Sequence, residues 1–155
     1  MKASTQFSDA IHIMAYIAIY KNTDRLSSTA IAESVKTNPS NVRKIMALLK
    51  KADLISTDNG RATPSLAKKA DKITFYDIYS SLMSDQYLFR IDTSTEQKCV
   101  IGGNIQEVLA KEYSHLQDVV EEEMKQTSLG SVLHKLALLE KEKRTGNEEL
   151  IKDFL

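Results

Sequence analysis

Ser40, Asn41, Arg43 and Lys44 stand close together within Ser28–Ala52, which reads STAIAESVKTNPSNVRKIMALLKKA. Arg and Asn can hydrogen-bond base edges in a DNA major groove, and Lys can meet a phosphate. Spacing puts them on one side. Val42, Ile45, Met46 and Leu49 recur at helical period and form a stripe to be buried. Ser40, Asn41, Arg43, Lys44 and Ala47 are left facing outward. A small, polar, cationic face at the start of a helix allows close approach to a groove. A solvated surface helix can carry the same residues, so the flanking elements decide its meaning.

Those elements agree with one another. Asn38 can cap the helix through its side-chain oxygen, and Pro39 suits the first helical position because its missing donor is unneeded there. Upstream, Ser27 or Ser28 caps a shorter helix with Ala30, Ile31 and Val35 turned inward. Free N–H groups at its start, near Ser28 and Thr29, suit a DNA phosphate. Downstream, Ala52–Thr57 reads as the end of the helix and a short strand, Asp58-Asn59-Gly60 as a tight turn, and Arg61-Ala62-Thr63 as the returning strand. Helix, turn, helix and hairpin make a winged helix-turn-helix. Its wing tip, Asn59–Arg61, would lie beside the minor groove, with Arg61 as the inserted cation. The candidate DNA-binding residues are therefore Ser28, Thr29, Asn38, Ser40, Asn41, Arg43, Lys44 and Arg61.

Other reactive side chains are sparse. Cys99 is the single cysteine and a possible redox sensor, by mixed disulfide or by pairing across a dimer. The alternative is a small buried apolar residue. His12, His115 and His134 lack close metal-ligand spacing, and His12 reads as a core or interface residue. Gly102-Gly103 lacks the context of a phosphate loop and reads as a point of freedom before a helix. No nucleophile–base constellation supports a catalytic site, and no metal site is expected.

The remaining pattern is mainly α-helical. Phe7–Lys21 is apolar on several faces, as for a helix buried on several sides. Ile73–Met83 reads as a short helix, and Ser84–Gly103 as a connector usable as hinge, cover or sensor. Asn104–Gln126 carries Ile105, Val108, Leu109, Tyr113, Leu116, Val119, Val120 and Met124 at helical pitch. So long a stripe suits a partner helix from a second subunit. The expected dimer residues are Ile105, Val108, Leu109, Leu116 and Val120. A further helix, capped by Thr127 or Ser128, turns Leu129, Val132, Leu133, Leu136 and Leu139 inward and ends by Arg144. The organisation expected is a winged helix-turn-helix domain at 1–83, a connector at 84–103, a helical dimerisation region at 104–144 and a tail at 145–155 that is amphipathic over Glu148–Leu155.

Charge follows this division. The 155 residues have zero net charge, yet residues 1–74 carry 12 Lys+Arg against 6 Asp+Glu, and residues 75–155 carry 9 against 15. A basic first half suits a polyanion, and an acidic second half orients the protein upon it. No apolar run reaches bilayer-spanning length, and the first residues lack a signal-peptide core with a cleavage site. With one cysteine, these features point to the cytoplasm and to no membrane partner.

The chain resembles the Rrf2 family of bacterial winged-helix transcription regulators, especially its YwnA-like branch. The matching stretches are FSDAIHIMAYIA at Phe7–Ala18, IAESVKTNPSNVRKIMALLKKADLI at Ile31–Ile55, KITFYDIYSSL at Lys72–Leu82 and CVIGGNIQEVL at Cys99–Leu109. The resemblance implies a homodimer on double-stranded promoter DNA, usually a repressor on a palindromic operator. It places the recognition helix at Pro39–Lys51, the wing at Leu54–Leu66 and the dimerisation helix at Asn104–Gln126. Cluster-binding members carry three cysteines before the dimerisation helix, so a chain with Cys99 alone is expected to hold no such iron–sulfur cofactor. The wing also departs from the glycine-rich pattern of many members, with Gly60 alone at its tip and Pro64 nearby, which is expected to shorten it. The leading function is a DNA-binding repressor, with an oxidant or small molecule as possible effector. The alternative is a winged-helix protein-interaction module that has lost specific DNA binding.

Overall fold

The computed structural model describes residues 5–57, 63–83 and 87–155. Helix α1 spans Thr5–Ile19, α2 Ser28–Val35 and α3 Pro39–Lys51. Strands β1, Ile55–Thr57, and β2, Pro64–Leu66, form the wing. Helices α4, Phe75–Leu82, α5, Ile105–Gln126, α6, Leu129–Lys143, and α7, Glu148–Ile151, complete the chain with short 3-10 turns at Ala70–Lys72 and Lys152–Phe154.

Helix α1 is central because it is apolar nearly all round. Ala10, Ile13, Met14, Ala15, Ile17 and Ala18 are all buried. They meet Ile31 and Ala32 of α2, Val42, Ile45 and Leu49 of α3, and Leu54 and Ile55 at the wing in one core. Ala32, rather than half-buried Ala30, completes the inner face of α2. The core continues past residue 83. Leu129 and Leu133 of α6 are fully buried in the same cluster as Ile73 and Ile78.

Local signals set the helix starts. Thr74 caps α4 and accepts from the Asp77 amide at 3.1 Å, while the Asp77 carboxylate accepts from the Thr74 amide at 2.9 Å. This reciprocal box begins the helix at Phe75 and leaves Ile73 extended and buried, two residues later than its apolar pattern suggests. Ser128 caps α6 by accepting from the Ser131 amide at 3.1 Å. The two capping residues form an isolated antiparallel bridge, Thr74 with Ser128. Phe75 N–H donates to the Thr127 carbonyl at 2.8 Å, and Leu129 N–H to the Ile73 carbonyl at 2.8 Å.

The face of α6 differs from expectation. Leu129, Leu133 and Ala137 are buried, whereas Leu136 and Leu139 are 41% and 47% exposed. Four-residue steps keep Leu129, Leu133 and Ala137 over the core and carry Leu136 and Leu139 beyond its edge. The tail turns back against α6 and the end of α1. Ile151 is buried, the Phe154 carbonyl lies 2.8 Å from His134 Nδ1, and Lys21 pairs with Asp153 at 3.0 Å. With Ile19, Tyr20 and Leu136 it lines an open cleft of about 230 Å³. No described helix is long and apolar enough to cross a membrane.

Candidate nucleic-acid interface

The turn between α2 and α3 is held without glycine. Lys36 adopts a left-handed conformation, φ 62° and ψ 44°, and its N–H donates to the Ala32 carbonyl. Thr37 N–H donates to the same carbonyl at 3.0 Å. The left-handed residue closes the end of α2 and turns the chain. Asn38 then begins α3, its side chain accepting from the Asn41 amide at 2.8 Å, with Pro39 in the first turn. Lys50 and Lys51 fill the last turn, where cations favour the helix dipole.

The two sides of α3 separate as their types require. Val42, Ile45 and Leu49 are fully buried, and Met46 is half-buried. Ser40, Arg43, Lys44 and Ala47 are exposed, and Asn41 is half-buried. Ser27, not Ser28, caps α2, accepting from the Ala30 amide at 3.1 Å. Ser28 therefore has its hydroxyl free for another role. It accepts from Arg43 Nη1 at 3.1 Å. Asn41 Nδ2 donates to Thr37 Oγ1 at 3.1 Å. Ser28, Asn38, Asn41 and Arg43 are thus linked to the helix-turn-helix by specific bonds. Thr29 is exposed on α2. Thr37 thereby joins the candidate residues although the sequence pattern does not single it out; a hydroxyl one turn before Asn41 is the signal that could have found it.

The wing is antiparallel, with Ile55 opposite Leu66, Ser56 opposite Ser65 and Thr57 opposite Pro64. Among the described residues its returning strand is Pro64–Leu66, and Thr63 lies just before it. Buried Pro64 and half-buried Leu66 face the core side and Ser65 faces out; Ala62, like Arg61, lies outside the described residues. Pro64 sits at the first strand position, where proline is tolerated. The Ser56 and Ser65 hydroxyls meet at 2.9 Å, and Lys50 Nζ donates to Thr57 Oγ1 at 2.6 Å, joining α3 to the wing. Arg61 and the rest of the expected wing tip lie outside the described residues.

The expected dimer helix has no fully buried residue. Its stripe is divided. Ile105, Leu109, Tyr113, Val120 and Met124 are half-buried, while Val108, Leu116 and Val119 are 54%, 44% and 54% exposed. The connector reaches the first group. Phe89 and Tyr113 rings lie 5.4 Å apart, and Leu88 N–H donates to Gln117 Oε1 at 2.9 Å.

Cys99 is exposed rather than packed. Backbone N–H groups of Gly102 and Ile101 hold its thiol below the ordinary cysteine range by favouring thiolate. Gly102 and Gly103 serve close approach rather than freedom. A Cβ on either would run into the carbonyl of Glu96 or Gln97. His12 is exposed, contrary to a core placement, and its Nε2 lies 2.9 Å from Ser34 Oγ. Its place on the rim of α1 beside α2 accounts for the difference.

The model of the Rrf2 family, described as "Iron-dependent Transcriptional regulator", matches residues 3–135. The iron of that description meets an unsuitable donor set for a three-thiolate cluster here. Cys99 is the one cysteine of the chain, and no three His, Cys, Asp or Glu among the described residues converge as metal ligands. YwnA of Bacillus subtilis, assigned as an HTH-type transcriptional regulator, is 33% identical over 133 residues, covering 86% of this chain and 98% of YwnA. A crystal structure assigned as a DNA-binding protein is 31% identical with a TM-score of 0.67, covering 83% of this chain and 98% of that one. IscR of T. potens shares the fold at 19% identity, with a TM-score of 0.66 and coverage of 94% and 93%. The recognition-helix architecture and these relationships agree: the chain belongs to the Rrf2 family and is a DNA-binding transcription regulator of the winged helix-turn-helix type.

Proposed function

We propose that the protein is a cytoplasmic, non-enzymatic repressor that binds a palindromic operator as a homodimer. The observation that carries this reading is α3, whose apolar side is buried while Ser40, Asn41, Arg43 and Lys44 line its open side. Asn41 and Arg43 read bases, Ser40 and Lys44 support the approach, and Ser28, Thr29 and Asn38 lie toward phosphate. Arg61 serves the minor groove. A second copy covers Val108, Leu116 and Val119 on α5, with Ile105, Leu109 and Val120 at the margin of the same interface. Twofold operators require such a twofold protein. The protein works without a three-cysteine iron–sulfur cluster, and an oxidant or small molecule is its effector, with Cys99 as the thiol open to oxidation.

Selection from random duplexes tests the proposal. Wild type should enrich a palindrome, and its affinity should fall steeply with salt as phosphate contacts release counterions. Arg43→Ala should cost about 1–3 kcal/mol of operator affinity. No enriched motif, together with unchanged affinity in Arg43→Ala, would overturn the repressor reading and favour a protein-interaction module.

A further inference from the structure

The geometry points to Ser28 and Thr37 as positioning residues that aim Arg43 and Asn41 before DNA arrives. This inference rests on the operator-binding reading above and deepens it. Arg43 and Asn41 both extend from the open side of α3, yet each is tied by one N–H to a hydroxyl outside that helix. Ser28 opens α2, and Thr37 lies in the turn. Both anchors are themselves fixed by backbone. Ser28 is the first residue of a helix already capped by Ser27, and Thr37 donates its N–H to the Ala32 carbonyl. Neither hydroxyl is the cap of α2 or α3.

The remaining hydrogen-bonding capacity is informative. Asn41 has one amide hydrogen engaged with Thr37, leaving a second hydrogen and Oδ1. That pair matches N7 and N6 of adenine. Arg43 has one Nη1 hydrogen engaged with Ser28, leaving donors from the other guanidinium nitrogens. A planar fork of that kind matches O6 and N7 of guanine. Because Ser28 Oγ accepts from Arg43, its own hydrogen is free to donate to a phosphate. One hydroxyl would then couple the position of the backbone to that of a base-reading side chain. Pre-setting long side chains reduces the ordering cost at binding and sharpens discrimination between bases.

The test is duplex selection with wild type, Ser28→Ala and Thr37→Val, followed by the conservative variants Ser28→Thr and Thr37→Ser. Each loss variant should lower discrimination about tenfold at one base position in each half-site, within the range of a single bidentate contact. The salt dependence of affinity should stay unchanged, since no charge is removed. Ser28→Thr and Thr37→Ser should restore the preference by restoring the hydroxyl. A structural role alone would lower the melting temperature and weaken all sequences equally; that result overturns the positioning role of the residue concerned. A motif retained intact by both loss variants overturns the inference alone. A wild-type protein that enriches no motif overturns the operator reading and this inference with it.

Discussion

Helices α3 and α5 show two ways of using an apolar stripe. In α3 the stripe is satisfied within the protomer, with Val42, Ile45 and Leu49 fully buried. In α5 the stripe is half-covered, and Val108, Leu116 and Val119 remain exposed. The first arrangement fixes the face proposed to read DNA. The second leaves apolar surface uncovered, where the proposed second copy would sit. Periodicity alone does not distinguish them, because both helices repeat apolar residues at helical pitch.

Substitution can separate the two roles. Leu49→Ala should destabilise the folded protomer by about 2–5 kcal/mol, since it opens a cavity in the core shared by α1 and α3. Denaturant unfolding measures it, and a loss below about 1 kcal/mol would contradict that burial. Leu116→Glu should behave differently. Its site is 44% exposed, so the protomer should stay folded while a charge within the seam drives dimer to monomer. Sedimentation equilibrium with circular dichroism reads both properties. A wild type that stays monomeric at high concentration while still binding operator would break the comparison.

The helix starts offer a smaller contrast. Asn38 caps α3 through its side chain, whereas Asn104 makes no such bond to α5 and donates to the Val100 carbonyl instead. Asn38→Ala should cost about 1 kcal/mol of stability, and Asn104→Ala a few tenths. Equal costs would show that the two ends are held alike. The smallest effect concerns Cys99, just before α5. Its thiol is held low by the backbone N–H groups of Gly102 and Ile101, so alkylation should rise with pH through a midpoint below that of the same cysteine in the urea-unfolded chain. Thiolate is the reacting form, so the rate falls as pH drops through that lowered value. A midpoint equal to the unfolded one would show that these two amides exert no hold on the thiol.

Much of this is legible in sequence because the signals are local. Asn38-Pro39 marks a helix start whatever surrounds it, and the α3 stripe needs only its own period. The family resemblance likewise rests on contiguous blocks. Features that depend on distant residues are not legible in the same way. The face of α6 differs from its pattern at Leu136 and Leu139 because burial there depends on what packs against the helix, and the packed face runs through Leu129, Leu133 and Ala137. The return of the wing at Pro64 depends on pairing with Thr57, and proline by itself argues against a strand there. Gly102 and Gly103 read as freedom because the Glu96 and Gln97 carbonyls that crowd them cannot be inferred from the pair itself. Thr37 is silent in sequence because a hydroxyl in a turn becomes informative only once Asn41 is seen to reach it.

The bridge between Thr74 and Ser128 bears on modularity. The amide of each following residue, Phe75 and Leu129, is satisfied by a carbonyl from the other segment. Ile73 and Leu129 are both fully buried there, and a Cβ at Gly130 would run into the Asp71 carboxylate. The start of α6 is therefore a structural part of the body that presents α3. A gene fragment cut after residue 83 would strip Leu129 and Leu133 from the core and leave backbone groups of Ile73 and Phe75 without their partners. The reading head of this regulator is not a detachable cassette. Swapping it between relatives requires carrying the two segments across together.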